Sequence, residues 1–370
     1  MADPILARTE DLAGGIKLGR ITLNSEATLN SLSLEMIDQI QSALDDWRHD
    51  PNVIALFFDA AGDKAFSAGG DIQNLYHDMI ETPGGPCTYC EGFFEREYRL
   101  DFDLRCYPKP TIAWGHGIIM GGGLGIFSAC QLRIGTETTR MAMPEITIGL
   151  FPDAGATYSF SQIDPVWAHF LALTGASINA EDAKYIGLLD ALIPHSQKDH
   201  FLEGLSSLSS ASFTLSELAV VAQNLQPPKN VFPTSKIRAH EPLLRDALET
   251  TLHSSNPLQT FSEQVADWPD ESWLTRARAG FLGGSPITAA IIIEQFKRAK
   301  TMDLKSMFQM ELNIAVACSR QGEFSEGVRA LLIDKDGNPK WQHAMGAVPE
   351  TVIESHFTDL WQQHPLADLA

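Results

Sequence analysis

The stretch His116-Gly117-Ile118-Ile119-Met120-Gly121-Gly122-Gly123-Leu124-Gly125 sets three consecutive glycines after a short apolar run, Thr111 to Trp114, and before a segment of helical character that reaches Cys130. Each glycine lowers helix propensity by about 1 kcal/mol relative to alanine, so a triplet needs a compensating reason. Close packing of two backbones is one, and close approach to a ligand is another. Glycine lets a backbone amide come near a ligand, and two such amides aimed at one point form an oxyanion hole. The stretch Phe66-Ser67-Ala68-Gly69-Gly70-Asp71-Ile72 repeats the context: it follows the run Val53 to Asp59 and precedes a helix beginning near Asp71. Amides at a strand-to-helix turn point outward together, and the helix dipole favours negative charge there. Alone, this turn is better read as a tight bend with glycine supplying positive φ. Two of them in one domain favour a paired-amide site.

Two carboxylates follow the second turn. Glu145 lies in Met143-Pro144-Glu145, and Asp153 in Leu150-Phe151-Pro152-Asp153-Ala154-Gly155. Each follows a proline, which stiffens the approach to it. The apolar neighbours Met141, Met143, Ile146 and Ile148 predict partial burial of Glu145, and burial raises a carboxyl pKa toward the range useful for base catalysis. Asp153 has a second reading as the N-cap of a helix from Ala154. His116, beside a buried strand, reads as a packed histidine rather than a base.

Outward from these motifs the chain alternates short apolar runs with amphipathic helices. Ile16 to Asn24, Val53 to Asp59, Thr111 to Trp114, Leu132 to Gly135 and Arg140 to Ala142 read as strands. Ser33 caps a helix with apolar residues at helical spacing through Leu44 and Trp47, and further helices cover Ala180 to Gly187 and Leu215 to Asn224. The βαβ rhythm is that of a layered α/β domain. Gln226 to Pro233 reads as a linker or surface excursion, and beyond it the chain is mainly helical, with a capped start at Ser285-Pro286-Ile287-Thr288. A division at residues 1–205 and 206–370 is expected.

At 370 residues and 44% hydrophobic content, the chain can bury a large core. Its net charge of -20 and lack of a basic stripe argue against nucleic acid as partner. With no run of eighteen apolar residues, no membrane span is expected. Met1-Ala2-Asp3-Pro4-Ile5 resembles neither a signal nor a transit peptide, which reads as cytoplasmic, although a mature mitochondrial chain freed of its presequence would look the same. Cys87-Thr88-Tyr89-Cys90 has metal-ligand spacing without a second pair, and reads as a reduced, incidental pair; no metal is expected. The chain has no Gly-x-Ser-x-Gly elbow, no phosphate-binding Gly-x4-Gly-Lys-Ser/Thr loop and no His-Glu-x-x-His.

Together the two glycine turns resemble those of the crotonase (enoyl-CoA hydratase/isomerase) superfamily. The match implies a crotonase-like ββα spiral core, here with a mainly helical C-terminal region. It also implies that the Gly70 and Gly122 amides hold a thioester oxygen. Hydratases of the superfamily carry a glutamate two residues after the glycine triplet, where this chain has Gly125, and a second in the Pro-Glu segment, kept here as Glu145. Asp153 stands where hydratases have glycine. That pattern is similar to the 3-hydroxyisobutyryl-CoA hydrolase branch, as are Phe93-Phe94-Glu95-Arg96-Glu97-Tyr98, Glu323 to Ala330, Leu332 to Asp336 and Pro339-Lys340-Trp341.

The resemblance implies hydrolysis of a short 3-hydroxyacyl-CoA thioester, as in valine catabolism, with an enoyl-CoA isomerase or hydratase of the same superfamily, or an acyl-CoA-binding protein without turnover, as the alternatives. Glu145, Asp153, Gly70 and Gly122 are then the catalytic and substrate-contacting residues, and Glu97 is a further substrate contact. The acyl-CoA is the partner, CoA is part of the substrate rather than a cofactor, and a homo-oligomer is possible for the superfamily. One departure stands out. Asn24-Ser25-Glu26-Ala27-Thr28-Leu29-Asn30 lacks the Arg-Pro-Lys that usually precedes Leu-Asn in the family and commonly helps hold the CoA phosphates, leaving Lys297 and Arg298 as candidate substitutes beside the plainer reading of solvated helix charges.

Overall fold

The computed structural model describes residues 3–208, 213–225 and 230–370. The chain forms two compact units by interleaving. One contains Met1–Gly70, Leu100–Met141 and Ile178–Arg238, and the other Asp71–Arg99, Ala142–Ser177 and Ala239–Ala370.

The first unit is built on strands β1 (Ile5–Asp11), β2 (Lys17–Leu23), β3 (Val53–Ala60), β4 (Ala65–Ser67), β5 (Thr111–Gly115), β6 (Ile118–Met120), β7 (Leu132–Gly135), β8 (Arg140–Ala142), β9 (Ile178–Asn179) and β10 (Ala191–Leu192). Six of them form a sheet in the order β1-β2-β3-β5-β7-β10, and four form a second sheet, β4-β6-β8-β9. β1 pairs antiparallel with β2, and the rest of the larger sheet is parallel. β3 is the apolar run of a strand buried on both faces, as parallel sheets require. Its one carboxylate, Asp59, is fully buried. Burial opposes its charge, but Lys198 and Arg20 hold its pKa below the usual carboxylate range, and the Thr22 hydroxyl donates to it at 2.6 Å.

One core of this unit gathers Phe57, Trp114, Ile112 and Ile134 from the sheet with Phe201, Leu205 and Leu218 from helices Lys198–Ser206 and Leu215–Gln223. The helix Leu34–Arg48 starts where the sequence places its cap: Ser33 accepts from the Met36 amide at 3.2 Å. Of the expected linker, residues 226–229 lie outside the described residues, and 230–233 form no regular helix or strand.

In the second unit every regular element among the described residues is helical, apart from the end of β8 at Ala142. The helix Thr88–Arg105 contributes its residues through Arg99 here. The helix Pro165–Thr174 is buried along almost its whole length, with Phe170 against Trp268 and Trp273. Ser285 caps Pro286–Ala299, accepting from Thr288 N at 3.0 Å with proline at the first turn.

Two glycines separate close packing from simple helix propensity. A Cβ on Gly123 would sit 2.5 Å from the Ser67 Cβ and 2.8 Å from its backbone oxygen, whereas one on Gly92 would meet nothing within 4 Å. Gly123→Ala is expected to lower stability by about 1–3 kcal/mol through overpacking. Gly92→Ala is expected to raise it by about 0.5–1 kcal/mol, as for glycine in any helix interior. Urea unfolding of both variants beside the parent chain checks the opposite signs.

Candidate active site

In the first unit, parallel strands β4 and β6 run side by side and each ends in a glycine turn. Gly69 takes a φ of 102°, and a Cβ there would lie 3.2 Å from the Met120 oxygen and 3.6 Å from the Gly121 Cα, so the two turns abut backbone to backbone. Leu32 N donates to the Gly69 oxygen at 2.7 Å and Ala68 N to the Leu29 oxygen at 3.0 Å. Asn30 donates to the oxygens of Ala61 and Ala65, so the segment that lacks the family's basic residues still braces the first turn.

Gly121 is the N-cap of the helix Gly122–Ala129 at φ 52°, a conformation that glycine adopts without strain. The helix starts at Gly122, which places that amide in the first turn, where no intrahelical acceptor exists. Gly70 directly precedes Asp71, the N-cap of the helix Ile72–Glu81. Two members of the triplet have structural reasons to be glycine: Gly121 for its φ and Gly123 for packing on Ser67.

His116 is buried, its Nε2 2.7 Å from the Gly62 oxygen and its ring 4.7 Å from that of His195. Burial lowers its pKa, which fits a packed imidazole.

In the second unit, Glu145 opens the 3₁₀ turn Glu145–Ile148 directly after Pro144 and is only 5% exposed. Its Oε2 has no hydrogen-bond partner among the described residues. Burial, and then the negative charge of Asp153, push its pKa well above the usual carboxylate value. Asp153 is 4% exposed and accepts a 2.6 Å hydrogen bond from the Tyr98 hydroxyl. Burial raises its pKa to about 6, and the Tyr98 bond works against that rise. Asp153 does not cap the next helix with its side chain; the N-cap of Ala156–Ser161 is Gly155, at φ 77°.

Glu97 and Tyr98 are buried on the helix Thr88–Arg105. The rings of Phe94 and Tyr98 stand 5.7 Å apart, and Tyr98 meets Phe308 at 6.5 Å. The structure thus brings Glu145 and Asp153 into one buried pocket of charge, with Tyr98 as its hydrogen-bond donor. Sequence reasoning missed Tyr98, although its helical spacing from Phe94 marks it as inward-facing.

Other polar candidates from the sequence have partners of their own. Lys297 is paired with Glu294 at 2.9 Å, and Arg298 with Glu294 at 2.8 Å and Glu354 at 2.5 Å. The Cys87 thiol points at the Ser319 oxygen and the Cys90 thiol at the Leu75 oxygen, and burial pushes both pKa values up. Among the described residues no cluster of three or more His, Cys, Asp or Glu could hold a metal, and no helix is long and apolar enough to cross a membrane.

The family model for enoyl-CoA hydratase/isomerase matches residues 18–357. The chain is 33% identical over 345 residues to the mitochondrial 3-hydroxyisobutyryl-CoA hydrolase of Homo sapiens, and 34% over 345 residues to that of Rattus norvegicus. Each match covers 92% of this chain and 86% of the relative. Among solved structures, a carnitinyl-CoA dehydratase from Mycobacterium thermoresistibile superposes with a TM-score of 0.83 at 28% identity, covering 99% of both chains. An enoyl-CoA hydratase from Rhodobacter sphaeroides 2.4.1 gives 0.80 at 27%, covering 96% of this chain and 97% of the other.

The buried carboxyls have a measurable consequence. Asp153 keeps its proton to about pH 6 in the folded chain, against an ordinary 3.8, and Glu145 is raised in the same direction. Over that interval the folded chain binds more protons than the unfolded one, so these groups make stability fall as pH rises. The melting temperature of Glu145→Gln relative to the parent is therefore expected to climb as pH rises above about 4.5, the ordinary value for a glutamate, because the variant has no charge to bury. Parallel melting curves above that pH contradict the assignment.

Proposed function

The chain belongs to the enoyl-CoA hydratase/isomerase family, and from that membership we propose that it hydrolyses a short 3-hydroxyacyl-CoA thioester, with 3-hydroxyisobutyryl-CoA as substrate. The observation that carries the reading is the pair Glu145 and Asp153, both buried, with Glu145 raised in pKa and Asp153 engaged by Tyr98. Such a pair can hold and move protons near neutral pH. The names of the curated relatives support the same branch.

In this mechanism the amides of Gly70 and Gly122 hold the thioester oxygen as it becomes an oxyanion, each donor worth about 3 kcal/mol. Glu145 either draws a proton from the attacking water or attacks the carbonyl carbon itself to form a mixed anhydride. In either case the C–S bond breaks and CoA leaves as the thiol. The new oxygen of the 3-hydroxy acid comes straight from water in the first route, and from Glu145 in the second, where water opens the anhydride at the Glu145 carbonyl and leaves its own oxygen there. Asp153 orients the substrate hydroxyl or the water, and Glu97 closes the acyl pocket. Hydration of a double bond fits less well, because Gly125 offers no side chain to move a second proton. Isomerisation needs only the two carboxyls that are present, and is the second reading.

Free thiol release from 3-hydroxyisobutyryl-CoA, with crotonyl-CoA hydration run beside it, tests the proposal. The parent is expected to release thiol, and Glu145→Gln to lose about 10²–10⁴-fold in rate while still binding CoA esters. Hydration without thiol release overturns the hydrolase reading. A single turnover in heavy-oxygen water separates the two routes, since label enters Glu145 only through the anhydride.

A further inference from the structure

A buried carboxylate outside the proposed chemistry faces the turn that carries Asp153. Glu311, on the helix Leu304–Gln321, is fully buried, and both of its oxygens are used. Oε2 accepts from the Gly155 amide at 2.8 Å, and Oε1 from the Thr157 amide at 2.9 Å. These amides belong to the N-cap and the first turn of Ala156–Ser161, a helix whose own N-cap is glycine and has no side chain to offer. The cap is supplied from a separate helix far along the chain.

The turn needs such a restraint. Ala154 and Gly155 are successive left-handed residues, at φ 53° and 77°, directly after Asp153. A left-handed alanine is strained, and it persists only where the surroundings hold it. A second tether comes from Gln295, whose Nε2 donates to the Pro152 oxygen at 2.9 Å and to the Thr157 hydroxyl at 2.7 Å. The backbone is therefore pinned on both sides of Asp153, by two different helices. Phe308, one turn before Glu311, packs on Tyr98, the donor to Asp153. Among the described residues no salt bridge reaches Glu311, and burial raises its pKa to about 7. The two amides are its compensation for burial.

From this geometry we infer that Glu311 is a positioning residue, which sets the direction of the Asp153 carboxylate through the Pro152–Thr157 turn. The kinetic part of the inference rests on the hydrolase reading, and the structural part does not.

Glu311→Gln keeps the shape but can no longer accept from both amides. At a temperature where circular dichroism shows the variant fully folded, kcat for thiol release is expected to fall about tenfold or more, since small misplacements of a reacting group are costly. KM is expected to stay within about threefold, because the group does not bind substrate. Combined with Asp153→Asn, the change is expected to add almost nothing, because both act through one carboxylate. In a crystal structure of Glu311→Gln, the Tyr98–Asp153 contact is expected to lengthen past about 3.5 Å, beyond hydrogen-bond range. Gln295→Met serves if Glu311→Gln does not fold, with the same kcat-selective loss expected.

A lowered melting temperature with unchanged kcat reduces Glu311 to a helix cap and overturns the inference, as do losses that multiply in the double variant. If the parent chain releases no thiol, the hydrolase reading fails by itself. The crystal structure still decides the positioning role, and an unmoved Asp153 overturns it.

Discussion

Two neighbouring carboxyls held out of water, with no ion-pair partner among the described residues, are the constraint on which the candidate site in the second unit depends. Glu145 and Asp153 each resist ionisation because burial removes their hydration, and the charge of Asp153 makes that of Glu145 less favourable still. The surroundings answer with a donor rather than a cation: the Tyr98 hydroxyl donates to Asp153, while Glu311 accepts from the Gly155 amide and Gln295 donates to the Pro152 oxygen, tying down the backbone on either side. A lysine or arginine in place of Tyr98 would stabilise the anions and lower their pKa values, removing the capacity to exchange protons near neutrality. The arrangement trades electrostatic comfort for proton affinity, as sites that perform acid–base chemistry do.

The first unit is governed by a backbone constraint instead. Strands β4 and β6 must approach closely enough for their terminal turns to touch, and only residues without a Cβ permit it, as the contacts of Gly69 and Gly123 show. Once the turns abut, the amide of Gly122 stands at a helix start with no internal acceptor. The geometry that satisfies packing therefore also leaves an amide without an internal acceptor beside the first turn.

Much of this was legible in the sequence. The apolar run of β3, the Ser33 and Ser285 caps, the strand–glycine–helix turns and the burial of Glu145 followed from local patterns, and the family resemblance agrees with the match over residues 18–357. What escaped were features set by distant contacts. β1 is an edge strand with mostly exposed residues and no alternation to mark it; its pairing with β2 makes it a strand. Asp153 has the sequence position of a helix cap, yet Gly155 takes that place and Glu311 supplies the acceptor from another helix. The signal for Glu311 was a lone carboxylate between Met310 and Leu312, with Phe308 one turn earlier on the same helix. Its partners could not be read from spacing.

The central claim is that paired glycine amides hold a thioester oxygen while the Glu145–Asp153 pair acts on the acyl group. A crystal structure with a non-cleavable thioether analogue of 3-hydroxyisobutyryl-CoA that retains the carbonyl tests it most directly. The account predicts the carbonyl oxygen about 2.7–3.1 Å from the amide nitrogens of both Gly70 and Gly122, with the acyl hydroxyl toward Asp153. A carbonyl bound away from both amides, with Glu145 and Asp153 out of reach of the acyl group, contradicts it.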